Sequence, residues 1–291
     1  LEANLDLKDT LITLPRMGWY KPKKVAASAF IAAAFLRDEF KSISIINYKG
    51  GGLNLNANAS FKNGGVLNQV VINRIDFGQT DIKAILAPHS DPENKGWNIH
   101  VSGKQLDLIE WMASEDLVAE KVRGMPLTFS LNLDAIQLYP NKSLLDVNGI
   151  ISFDGLVWKA VNIKSGRGVN KALDITLIPK NGKRYLRIKA KNAGSILKIF
   201  DYYDNLIGGE LYLRGEYDGM LPESKFSGRA KIDDFRVINA PILANLLNVA
   251  SITGIVDELL GGVGIGFSRL DVPFESIEDI ITVNGASVSG L

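Results

Sequence analysis

Apolar and polar residues alternate with a period of two along most of this chain. Leu53, Leu55, Ala57, Ala59 and Phe61 are interleaved with Asn54, Asn56, Asn58 and Ser60. Leu67, Val71 and Ile75 share one face of the next run. Phe129, Leu131 and Leu133 alternate with Ser130, Asn132 and Asp134, and Leu145, Val147, Ile151 and Phe153 continue the pattern. Leu173, Ile175 and Leu177 alternate with Asp174 and Thr176. Leu186, Ile188 and Ala190 oppose Tyr185, Arg187, Lys189 and Lys191, and Leu211 and Leu213 oppose Tyr212, Arg214 and Glu216. Period two with one apolar face predicts antiparallel strands wetted on one side. Turn sequences separate them at 49–52, 63–65, 154–155, 181–182 and 218–219, where Asn-Gly and Asp-Gly suit positive φ. The pattern predicts about sixteen strands in one continuous β-rich unit over residues 1–291. No fixed-period repeat and no Pro/Ser linker divides it.

Helices are few. Residues 104–118 place Leu106, Ile109 and Trp111 or Met112 at helical spacing. Residues 193–206 predict a helix capped by Ser195, with Leu197 and Phe200 on one side. Residues 241–248 and 251–260 predict a C-terminal helical hairpin within 240–261, with Pro241 in a first turn and Gly261 as a stop. Its simplest role is a cap over a sheet edge; plugging a groove or docking a partner is the alternative. The Ala-rich run 25–36 reads as a strand, with a buried helix as the alternative. It is too short to cross a bilayer.

Composition changes the picture mainly by exclusion. The 291 residues are 46% hydrophobic and 22% charged, with net charge +1, no Cys and two His. Such a chain is too apolar to be disordered. It lacks the electrostatic footprint of a general nucleic-acid binder. Disulfides, thiolate metal sites and cysteine nucleophiles are excluded. His89 and His100 stand eleven apart without a ligand partner at metal spacing. No Gly-x-Ser-x-Gly elbow occurs. The glycines of 262–266 follow a helix and open a strand, the reverse of a nucleotide loop. The carboxylate pairs Asp233-Asp234 and Glu278-Asp279 occupy adjacent strand positions, which point apart. No enzyme and no cofactor is expected. The cluster Trp19-Tyr20-Lys21-Pro22-Lys23-Lys24 reads as a solvated turn with Trp19 packed on the sheet edge. Contact with anionic head groups is its alternative.

Several segments carry a family resemblance. Residues 17–22, including Gly18, Trp19, Lys21 and Pro22, resemble the "lGW.KP.g" segment of the AsmA-like superfamily of Gram-negative bacteria. Residues 206–211, with Gly208 and Gly209, resemble its "i.GG.L.l.G" strand entry. Residues 226–244, with Phe235, Ala240 and Pro241, resemble "f.G.l.i.dFrv..AP.LA". Residues 246–254, with Leu246, Leu247, Ser251 and Gly254, resemble "LL..aSltG", so 206–291 is the most family-specific part.

The resemblance implies a long curled antiparallel sheet forming an apolar groove. It implies a periplasmic module, tethered to the inner membrane by parts of a longer parent chain. Such a module would move phospholipid between inner and outer membranes and support outer-membrane integrity. Its implied partners are phospholipid and membrane, with no nucleic acid. The start at Leu1 and the ending 289–291 fit a piece of a longer polypeptide. About sixteen strands at about 4.8 Å would lay a trough of about 75 Å. The expected lining is Leu53, Leu55, Leu131, Leu133, Leu173, Ile175, Leu186, Ile188, Leu211 and Leu213. An ordinary packed sandwich core is the alternative for these ten. The alternative functions are a non-transporting assembly factor for outer-membrane biogenesis, and an enzyme or carbohydrate binder.

Overall fold

The computed structural model describes residues 1–15, 18–36, 39–89, 95–113, 124–166, 173–239, 264–277 and 280–290. The protein is mainly β, with strands over about 70% of the described residues. The chain divides into two compact units, Leu1–Trp158 and Lys159–Leu291. In each unit the strands form a mostly antiparallel, curled and unclosed sheet.

The first unit contains β1 (Glu2–Asp6), β2 (Ile12–Leu14), β3 (Trp19–Lys21), β4 (Ala27–Leu36), β5 (Glu39–Gly50) and β6 (Leu53–Phe61). It continues with β7 (Leu67–Phe77), β8 (Thr80–Pro88), β9 (Trp97–Asp107), helix α1 (Ile109–Ala113), β10 (Leu127–Tyr139) and β11 (Lys142–Phe153). Strand β1 pairs with β4, and the ladder then runs in sequence order from β4 to β11. Every pairing is antiparallel except β9 with β10, which is parallel. Hairpin β2–β3 stands apart as its own two-stranded sheet.

The second unit contains β12 (Trp158–Ser165), β13 (Leu173–Lys180), β14 (Lys183–Ala190), helix α2 (Ala193–Ile199), β15 (Leu206–Tyr217), β16 (Phe226–Val237) and β17 (Ile265–Ile277). Strands β12 to β17 form a sequential antiparallel ladder. Two short strands, β18 (Ile280–Val283) and β19 (Ser287–Gly290), both pair with β17. Asn181 and Gly182, at φ 54° and 74°, supply the two positive dihedrals of the tight β13–β14 turn.

Several elements differ from the sequence expectation. The run 25–36 does not: Ala27–Leu36 form strand β4, as expected. The helix expected over 104–118 begins only at Ile109, because 104–107 complete β9; its part at 114–118 lies outside the described residues. The Asp107 carboxylate then accepts the Ile109 N–H at 2.9 Å and starts the helix one turn later. Helix α2 is capped by Asn192, not Ser195: the Asn192 side chain accepts from the Ser195 N–H at 2.8 Å. The expected hairpin at 241–248 and 251–260 lies outside the described residues. So do Ala240, Pro241, Leu246, Leu247, Ser251 and Gly254.

One feature recurs in both units. Strand β16 buries Phe235 and Val237 but also Ile232, so its inward positions change from odd to even. The change falls at Asp234, which has φ 53°. The neighbours change phase at the same level: Gly209 (φ 79°) lies between inward Leu206 and Leu211 on β15, and Ser268 between inward Phe267 and Leu270 on β17. In the first unit β10 buries Leu133, then Ile136 and Leu138, with Asp134 between. Strand β11 buries Val147 and Leu144, with Asp146 at φ 49°. Asp and Gly tolerate the left-handed region that such a step requires.

Candidate functional site

The candidate site is the apolar face of each sheet. In the second unit, registered pairs align Ile163, Ile175, Ile188, Leu213, Ala230 and Val272 across six strands. A second row holds Leu173, Ala190, Leu211, Ile232 and Leu270. A third holds Val161, Leu177, Leu186, Gly215, Gly228 and Phe274. Residues paired across a ladder share a face, so these rows form one apolar surface.

Helix α2 covers only one end of that surface. Ala193 packs with Leu206, Ile232, Phe235 and Val237, and Leu197, Leu211, Ile265, Phe267 and Leu270 close around them. Toward the opposite end, Arg184 is buried, donates to Gly219 O at 3.1 Å and to Leu221 O at 3.3 Å, and lies over the Tyr217 ring. Between these ends every member of the row from Ile163 to Val272 is half-buried. A sandwich would bury such central residues fully, because a second layer would cover them. Among the described residues the helix in contact with this sheet is α2, which packs on β15 and β16.

The first unit is built the same way. Ala29, Tyr48, Leu55, Ile75, Ile82, Gly103, Leu133 and Val147 form one cross-strand row. Next to it run Ile31, Ile46, Ala57, Ile72, Ala84, Val101 and Leu131. Then come Ala33, Ile43, Ala59, Val70, Leu86, Ile99, Phe129 and Ile151. The first row is the better buried. In the last, all but Ala59 are half-buried.

All ten expected lining residues lie on these faces: Leu53, Leu55, Leu131 and Leu133 in the first unit, and Leu173, Ile175, Leu186, Ile188, Leu211 and Leu213 in the second. Leu133 and Leu173 are each 2% exposed, whereas Ile175, Leu186, Ile188 and Leu213 are half-buried. Two neighbouring expectations change. Leu145 is 38% exposed, because the phase step at Asp146 puts Leu144 inside instead. Val71 pairs with Asn58 and Ile85 on the polar face, because register shifts in β7 place Val70 and Ile72 inside. Ile163, Ala230 and Val272 escaped the sequence reading. Ala and Gly dilute the alternation in β16, and a phase step interrupts it in β17.

The basic–aromatic segment is anchored at Trp19 and at Lys21, which is buried rather than solvated as expected, while Tyr20, Lys23 and Lys24 stay exposed. Trp19 is 7% exposed, donates from its indole to Gly51 O at 2.9 Å, and meets the Tyr48 ring edge-on. Lys21 is 0% exposed. Its ammonium donates to Lys8 O, Pro22 O and Val25 O at 3.2, 3.0 and 3.1 Å. Gly18, at φ 60°, leaves no room for a side chain beside Glu110 of α1. The Tyr48 hydroxyl is buried without a hydrogen-bond partner among the described residues, and desolvation pushes its pKa up.

The opposite, polar faces carry charge pairs. In the second unit Asp233 accepts from Arg269 at 2.6 Å, and that bond holds the carboxyl below its usual range. Lys183 donates to Glu216 at 2.7 Å, which raises the lysine's pKa. Among the described residues no group of three or more His, Asp or Glu could hold a metal ion. No helix there is long and apolar enough to cross a membrane. No family model, curated protein or solved structure matches the chain.

Proposed function

We propose that the apolar faces carry phospholipid acyl chains, and that the protein is a bridge-like lipid-transfer module of the AsmA-like kind. One observation carries this reading: the central row Ile163, Ile175, Ile188, Leu213, Ala230 and Val272, apolar across six strands yet only half-buried. Monomeric proteins rarely leave large contiguous apolar surfaces to water, and where they do these commonly bind something apolar. Each CH₂ sheltered from water contributes about 0.8 kcal/mol, so such a surface suits hydrocarbon without any reacting group. Within the proposal the module works in the periplasm, tethered to the inner membrane by its parent chain, and moves phospholipid toward the outer membrane.

Native mass spectrometry of gently purified protein tests the reading. Bound phospholipid is the expected result, together with uptake of a fluorescent phospholipid from vesicles. Ile188→Asp/Leu213→Asp places two charges in the open row and should abolish uptake while the far-UV spectrum keeps its β signature. Protein that carries no lipid and extracts none from vesicles leaves the assembly-factor reading instead.

A further inference from the structure

The polar face of the second unit, on the other side of the same strands, presents an unusual row. Arg187 pairs in register with Arg214, and Arg214 with Arg229. Three guanidinium groups therefore leave one face at successive strand spacings of about 4.8 Å. Like charges placed directly opposite one another destabilise a sheet. Arg229 has Asp271 at 3.5 Å. Arg187 and Arg214, both exposed, have no ion-pair partner among the described residues.

The flanking rows sharpen the chemistry. On one side Lys189, Tyr212 and Lys231 are registered neighbours, with the Lys189 ammonium 5.5 Å from the Tyr212 ring centroid. On the other side Ile178 pairs with Tyr185, and they are 56% and 39% exposed. The nearby carboxylates are mostly engaged: Asp271 lies between Arg229 and Lys231, and Glu216 accepts from Lys183. Asp174 stands beside Lys189 in register, with one oxygen buried and unbonded.

We infer that this polar face docks flat on a bilayer surface containing anionic phospholipid, with Arg187 and Arg214 taking the phosphodiester groups. Guanidinium groups match phosphate oxygens in a bidentate way. The choice of a membrane over a polynucleotide rests on the flanks. Exposed tyrosine and isoleucine beside cations suit the head-group layer, where amphipathic rings settle. The inference does not depend on the groove, which lies on the opposite face.

The test is co-sedimentation of the full chain with phosphatidylcholine vesicles, with and without about one third phosphatidylglycerol, in about 0.1 M salt. Binding should require the anionic lipid and fall away in high salt. At about fivefold per basic side chain, Arg187→Gln/Arg214→Gln should weaken partitioning about 25-fold. Arg187→Lys/Arg214→Lys should retain most of it. Equal binding to both vesicles, or a Gln variant that binds like wild type, overturns the inference. Tighter binding of a single-stranded oligonucleotide than of anionic vesicles also overturns it and assigns the face to nucleic acid. Should the Gln variant fail to fold, the lipid and salt dependence of wild type decides alone. Fluorescent-phospholipid uptake by the Gln variant reads the groove separately, so failure of one proposal is distinguishable from failure of the other.

Discussion

Three backbone oxygens meet one ammonium at Lys21, and no carboxylate takes part. The bonds tie the loop before β2 to the turn after β3. Lys21→Met should therefore leave three carbonyls unpaired and cost about 3 kcal/mol, read as a lower urea midpoint. Tyr48 is the converse case, a buried hydroxyl with no partner among the described residues. Tyr48→Phe removes that group and should raise stability by about 1 kcal/mol in thermal unfolding. Its raised pKa gives a signed expectation. The folded protein keeps the phenol neutral, so the fold loses stability as pH rises above about 10 and through the raised pKa. Absorbance titration should show a tyrosine component ionising above the usual phenol range, and Tyr48→Phe should remove it. Asp233 has the opposite sign. Its lowered pKa makes its contribution present above about pH 4 and lost as pH falls further. Melting curves of wild type and Arg269→Gln should differ at pH 7 and converge in acid.

Strands here are defined as much by their phase steps as by their alternation. Gly209 sits at φ 79°, and a Cβ there would come 2.8 Å from Ile232 Cγ2 and 2.9 Å from Phe235 Cβ. Gly209→Val should cost at least about 2 kcal/mol. Gly208→Ala, whose Cβ would meet nothing closer than 3.8 Å, should cost about 1, from its φ alone. Paired denaturation curves separate the two. The same steps mark where sequence reading succeeds and fails. Leu173, Ile175, Leu186 and Ile188 lie in uninterrupted alternation, and their face was legible. Leu145 was not, because Asp146 shifts the frame and period two carries no memory across such a step. Helix starts failed for a related reason: Asp107 and Asn192 are strand or loop residues by pattern, and only tertiary pairing shows which one meets the free N–H groups.

At the scale of the molecule, the hydrophobic share of 46% is distributed over strand faces, and among the described residues no helix is long and apolar enough to cross a membrane. Apolar rows on one side and charged residues on the other give each unit two chemically distinct surfaces. Register between distant strands was invisible in the sequence. Arg187, Arg214 and Arg229 are separated by long intervals, and the turn lengths alone decide that they align. The coordinated phase steps at Gly209, Asp234 and Ser268 also bear on how such a sheet can change over generations. A one-residue deletion in β16 would turn half of that strand inside out and break its match to both neighbours. Only matching losses in β15 and β17 would restore the surface. Length changes in this part of the chain should therefore be inherited as a set or purged, while substitutions between the steps accumulate one at a time.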